Sequence, residues 1–113
     1  MASRYVPDTG DIVWLEFDPH AGREQAGRRP ALVMSPASHN GKSGLMLGCP
    51  MSTRIKGHPF EVVTAVDGVE CAVLSDQAKS LDWKARKTKR RAVASAEVVA
   101  HARAKIKALL LIK

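Results

Sequence analysis

Aromatic residues are scarce: the 113-residue chain holds two Trp, two Phe and one Tyr. That stock excludes a broad base-stacking surface. Cysteine is nearly absent as well, since Cys49 and Cys71 are the only two. Both stand among apolar neighbours and read as buried, reduced thiols rather than a disulfide framework. No apolar run approaches the roughly 20 residues that a bilayer-spanning helix needs. The stretch from Ala108 to Ile112 is far too short. The start Met1-Ala2-Ser3-Arg4-Tyr5 has no apolar segment behind its Arg, so no secretory signal is read and a cytoplasmic protein is expected.

Metal-ligand patterns are missing too. His20, His39, His58 and His101 are not paired at ligand spacing with another His, a Cys or a carboxylate cluster, so neither a metal nor another cofactor is expected. No Gly-rich loop runs into Lys-Ser or Lys-Thr, which argues against nucleotide hydrolysis. No nucleophile-elbow context supports a Ser-His-Asp triad.

What is present describes an ordinary globular domain. The chain is 45% hydrophobic and 26% charged, and its length suits a single domain over residues 1–113. Any active site must sit on that one fold or between two copies of it. The net charge of +7 is unevenly spread. Residues 1–83 carry eight Lys or Arg against ten Asp or Glu, whereas residues 84–113 carry ten against Glu97 alone. The asymmetry points to a polyanionic partner, a nucleic acid or an acidic protein.

The pattern along the chain is that of short strands. Asp11 to Asp18 is rich in strand formers. A long polar loop, His20 to Arg28, follows. Pro30 is read as opening a second strand, Ala31 to Ser35. Pro36 to Gly44 is read as a turn region, and Leu45 to Cys49 as a third strand ending at Pro50. A basic loop spans Ser52 to Pro59. Phe60 to Val66 and Glu70 to Leu74 flank Asp67-Gly68, a tight hairpin signal. One more strand is expected around Ala78 to Leu81. From Ser95 the period becomes helical, with Val98, Val99, Ala102, Ile106, Leu109 and Leu110 on one face. Ser95 is a good N-cap, and Glu97 suits the positive end of the helix dipole. The expected fold is mainly β: a small, mostly antiparallel barrel with a C-terminal amphipathic helix.

Two loops carry candidate chemistry. One is Glu24-Gln25-Ala26-Gly27-Arg28-Arg29-Pro30, which ends with Arg at the mouth of a strand. The other is Pro50-Met51-Ser52-Thr53, at the end of another strand. Singly, each has a plain structural use: an ion pair for Arg29, a turn hydroxyl for Ser52, a solvated acid for Glu24. The basic run Lys84 to Arg91 reads either as a solvated loop or as an element that tracks phosphates.

The chain resembles the MazF (PemK-like) family of toxin endoribonucleases. The matching stretches are Ser3-Arg4-Tyr5-Val6-Pro7-Asp8, Gly10-Asp11, Phe17-Asp18-Pro19, Glu24-Gln25-Ala26-Gly27-x-Arg29-Pro30-Ala31, Lys56-Gly57-x-Pro59-Phe60-Glu61-Val62-Val63 and Asp76-Gln77-x-Lys79-Ser80. The resemblance implies a Src-homology-3-like barrel of the CcdB/PemK kind, a homodimer, and metal-independent cleavage of single-stranded RNA at a short sequence. It also implies an acidic antitoxin of the MazE kind as partner. It places catalysis at Arg29 and at Ser52, where the family more often has Thr. Thr53, next to it, is an alternative source of the hydroxyl. Arg is effectively never deprotonated near neutrality, so Arg29 is read as a charge stabiliser and Glu24 as the proton acceptor in the same loop. RNA contacts are expected from Phe17, Gln25, Thr53, Lys56, Asp76, Gln77, Lys79 and Arg86. Two other functions fit the same fold: a non-enzymatic toxin binding DNA gyrase, and a plain RNA-binding barrel.

Overall fold

The computed structural model describes residues 5–17 and 27–113. Among these residues seven strands form one curled antiparallel sheet, a half-closed barrel, with a long helix at the end of the chain. They are β1 (Asp11–Phe17), β2 (Gly27–Val33), β3 (Leu45–Ser52), β4 (Glu61–Val66), β5 (Val69–Leu74), β6 (Lys79–Asp82) and β7 (Lys89–Val93). The helices are α1 (Ala37–Ser43) and α2 (Ala96–Leu109), and a single 3₁₀ turn covers Ser75–Gln77. The strand order is β4-β5-β3-β2-β1-β7, and β6 pairs with β3 away from this path.

Alternation along the strands buries both faces of the sheet. On one face Ile12, Leu32, Cys49, Met51, Val62 and Val73 pack against Val99 and Ala102 of α2. On the other face Val13, Leu15, Ala31, Val33 and Met46 pack with Leu81 and Trp83, and Tyr5 and Val6 lie against them. The neighbours Ile12 and Val13, and likewise Leu32 and Val33, thus serve opposite cores. Both cysteines are buried free thiols, in keeping with the sequence. Ser95 caps α2 as expected, its side chain accepting from Val98 N–H. Asp67-Gly68 makes the tight turn between β4 and β5, with φ +52° and +78°.

Four expectations need correction. Pro30 does not open its strand, because β2 begins at Gly27. Trp14 of β1 pairs with Pro30, but β3 reaches β2 only from Ala31 onward. Pro30 therefore sits where β2 is an edge, which is where a missing N–H is tolerated. The third strand does not end at Pro50 but runs through it to Ser52. Pairing of β3 with β6 stops at Gly48, and pairing with β5 starts at Met51. Pro50 falls in the gap between those two partners.

The turn region 36–44 contains α1, a helix whose composition of Ser, Asn and Gly hides it. Buried Asn40 fastens it: its amide donates to Pro7 O at 2.7 Å and Ser35 O at 2.9 Å. Its Oδ1 accepts from Ser35 Oγ at 2.6 Å, and its backbone carbonyl accepts from Trp83 Nε1 at 3.0 Å. The basic run is not wholly a loop either. Its last residues lie in β7, which pairs with β1 through Ile12↔Ala92 and Trp14↔Lys89.

Candidate active site

The register of the sheet brings the two predicted loops together. Arg29 faces Leu15 across the β1–β2 ladder, two residues before Ala31 meets Pro50 of β3. Ser52, at the far end of β3, faces Ala72 of β5. Both ends emerge at one rim, where a cavity of about 240 Å³ opens. Trp14, Met51, Val66, Val69 and Cys71 give it an apolar lining. Arg28, Arg29 and Arg91 add three guanidiniums, Ser52 and Thr53 add hydroxyls, and among the described residues no carboxylate lines it. A site of that charge and polarity suits a phosphodiester: guanidiniums supply forked donors, and the hydroxyls supply single ones.

Arg91 was not foreseen as part of this rim. Its guanidinium lies 4.4 Å from the Trp14 ring centroid and bridges to Asp67 at 3.2 Å. The signal was in the sequence as a basic residue, but its face depends on β7, which the composition of that segment concealed.

Ser52 is only 8% exposed, whereas Thr53 is exposed. Ser52 Oγ accepts from Arg54 N–H at 3.0 Å. This is a turn hydroxyl of the ordinary kind, and accepting that bond leaves its own proton available to donate. Burial pushes the Cys49 thiol up to about 12, with a smaller contribution from Asp76. Cys71, which lines the cavity, is raised as well, by burial first and by Glu70 against an opposing effect of Arg91. Neither thiol is a nucleophile at neutral pH.

A second cavity, about 350 Å³, lies on the other side of Ser52. Arg54, Lys56, His58, Glu61, Leu74, Asp76 and Gln77 complete its lining. Four predicted RNA contacts divide between the two cavities: Lys56, Asp76 and Gln77 line the second, Thr53 the first. Lys79, in β6, and Arg86 line neither. Arg86 Nη1 donates to Glu16 O at 2.8 Å, and the Arg86 carbonyl accepts from Glu16 N–H at 3.0 Å, so this residue ties the 84–88 segment to β1. Glu24 and Gln25 lie outside the described residues, and so does the side chain of Phe17, whose backbone pairs with Gly27.

Sequence reasoning missed Glu61 and His58. The Glu61 carboxylate gathers the loop before β4: it accepts from the backbone N–H of Lys56 at 3.2 Å, Gly57 at 3.0 Å and His58 at 3.3 Å. Gly57 allows this curl with a φ of +77°. Glu61 stood in a matched stretch, but nothing local distinguished an acid that organises backbone from one that is merely solvated.

Fold and site define a class first: a small antiparallel barrel bearing an arginine-lined, hydroxyl-bearing cavity at one rim. Comparison with known proteins narrows it. Residues 8–110 match the family model described as PemK-like, MazF-like toxin of type II toxin–antitoxin system. The endoribonuclease toxin MazF of Escherichia coli K12 is 46% identical over 110 residues, which span 97% of this chain and 99% of that protein. The crystal structure of MazF from Deinococcus radiodurans superposes with a TM-score of 0.87 at 53% identity, over 94% of this chain and 97% of that one. A MazE–MazF crystal structure from the same organism matches with a TM-score of 0.85 at 49% identity, over 96% of this chain and all of that one. The chain belongs to the PemK-like, MazF-like family of toxins of type II toxin–antitoxin systems.

Proposed function

We propose that this chain is an endoribonuclease toxin that cuts single-stranded RNA at a short sequence, with the scissile phosphate seated between Arg29 and Ser52. The observation that carries the reading is the place of Ser52, which lines both cavities and shares the first with Arg29. Relatives of nearly the same length are named endoribonucleases.

RNA brings its own nucleophile. The 2′-oxygen bonds to the adjacent phosphorus as the bond to the 5′-oxygen breaks, leaving a 2′,3′-cyclic phosphate and a 5′-hydroxyl. The 2′-proton passes to Glu24 or to water, and the departing 5′-oxygen takes a proton from water. Arg29 holds the phosphoryl oxygens and offsets the charge that grows on them. Ser52 Oγ, fixed by Arg54 N–H, donates one further hydrogen bond. Neither role calls for a metal. Lys56, Asp76, Gln77 and Thr53 contact the RNA on either side, together with Gln25, Phe17, Lys79 and Arg86. The protein acts as a homodimer of single-domain chains in the cytoplasm. A MazE-like antitoxin restrains it, as the D. radiodurans complexes of MazE with MazF support.

Incubating purified protein with a long RNA in EDTA tests this. Discrete fragments with 5′-hydroxyl ends support the reading. Intact RNA with protein bound to it points to a binding barrel, and intact unbound RNA points to a non-enzymatic toxin.

A further inference from the structure

The second cavity contains a pair of side chains that the cleavage chemistry leaves unused. His58 Nδ1 accepts from Phe60 N–H at 3.1 Å. That bond needs a lone pair on Nδ1, so the neutral ring carries its proton on Nε2. Nε2 lies 3.9 Å from Asp76 Oδ2, beyond the 2.7–3.2 Å of an N–H···O hydrogen bond. A donor and an acceptor thus stand side by side without satisfying one another.

The ring is held in place. Its own backbone N–H goes to Glu61, and Phe60 packs beside it with ring centroids 5.8 Å apart. On the far side of the loop Lys105 Nζ, from α2, donates to Pro59 O. A fixed donor beside an acceptor matches the edge of a nucleobase, where an acceptor and an N–H donor are adjacent. Single-stranded RNA is read along such edges.

Charge separates the two cavities in the same sense. Among the described residues, the first has three guanidiniums and no carboxylate in its lining; the second has two carboxylates, Glu61 and Asp76, against Arg54 and Lys56. Three guanidiniums attract a phosphate, and a neutral base tolerates the two carboxylates of the second cavity. The phosphate therefore belongs in the first cavity and a base in the second.

We propose that His58 is a specificity-determining residue, which with Asp76 reads the edge of one nucleobase beside the cleaved bond. The proposal rests on the endoribonuclease reading. The test maps cleavage ends on a random-sequence RNA pool for the wild type, His58→Ala and His58→Gln. His58→Ala should lose about tenfold or more of the base preference at one position of the recognition sequence, with the other positions kept. His58→Gln retains an N–H donor and should restore much of that preference. Unchanged preference at every position overturns the proposal, as does an equal slowing at all sites. A pool left uncut by the wild type overturns the endoribonuclease reading and this proposal together, whereas a pool cut with unaltered preference overturns this proposal alone.

Discussion

Replacing Ser52 by Ala separates the two hydroxyls at the rim. The side chain is buried and its oxygen holds Arg54 N–H at 3.0 Å, whereas the adjacent Thr53 is exposed. If Ser52 Oγ donates to the phosphoryl oxygen as charge builds there, losing it removes one preorganised donor. Such a loss costs about 10²–10³ in rate, or about 2.7–4 kcal/mol of barrier. The structural cost is much smaller. Arg54 is exposed, so water replaces the lost acceptor, and the net value of one such bond is about 0.5–1 kcal/mol. That is a fall of only a few degrees, about 2–4 °C, in melting temperature.

The assay is single-turnover cleavage of a short labelled RNA carrying a mapped site, in EDTA, with a thermal melt of each variant. Ser52→Ala should slow cleavage at least a hundredfold while melting within a few degrees of the wild type. Ser52→Thr should retain most of the rate, since it keeps the hydroxyl. Thr53→Ala should change the rate only severalfold. The reasoning is refuted if Thr53→Ala abolishes cleavage while Ser52→Ala stays within about threefold of the wild type.

Four further outcomes are expected. Asn40→Ala removes the donor to Pro7 O and Ser35 O inside the protein, and should cost about 2–4 kcal/mol of stability by denaturant titration. Stability should also fall as pH rises from about 9 toward 12. Cys49 titrates near 12 in the fold, and Tyr5 is raised by burial and by its hydrogen bond to Asp11, so both groups hold protons that the unfolded chain releases. Thermal melts of Cys49→Ala should show a shallower alkaline decline. Glu24→Gln should slow single-turnover cleavage more than it weakens RNA binding, and an unchanged rate would remove Glu24 from the proton transfer. Changing both Lys87 and Lys89 to Gln should flatten the salt dependence of RNA affinity by about 1.4 in log–log slope, and no change would make the run a solvated surface.

The strands that carry ordinary alternation were legible. Asp11 to Phe17, the Asp67-Gly68 hairpin and the Ser95-capped helix all follow from local rules, and each lies close to where those rules put it. The misses share one cause, which is that a distant partner decides the local structure. Helix α1 has a weak sequence of its own and exists because Asn40 bonds to Pro7, Ser35 and Trp83. Strand β7 has two apolar residues among three bases, and it forms because β1 offers an edge. Pro30 and Pro50 looked like strand boundaries because the rule for proline concerns ladders, and only the topology shows which edges lack one. The site follows the same division. Arg29 and Ser52 were found by motif, but Arg91 depends on β7, and His58 depends on the loop that Glu61 gathers.

The plain and the catalytic uses of Ser52 are therefore not competitors. A serine oxygen has two lone pairs and one proton. Turn formation uses a lone pair on Arg54 N–H and fixes where the oxygen sits. Catalysis needs the proton, aimed at an oxygen that becomes more negative during the reaction. The turn bond thus supplies the positioning that a useful donor requires, because a hydroxyl free to rotate about its side chain would have to be ordered during each turnover. The same logic holds at His58, where accepting from Phe60 N–H on one nitrogen dictates that the other nitrogen donates. At both positions a backbone bond at the end of a strand or loop selects the role of the remaining atom. Removing Arg54 N–H or Phe60 N–H, by Arg54→Pro or Phe60→Pro, should then impair the side chain two residues earlier even though that side chain is intact. Cleavage rate reads the first effect and base preference the second. If neither variant, once shown to be folded, changes its own readout, the backbone bonds are incidental to function.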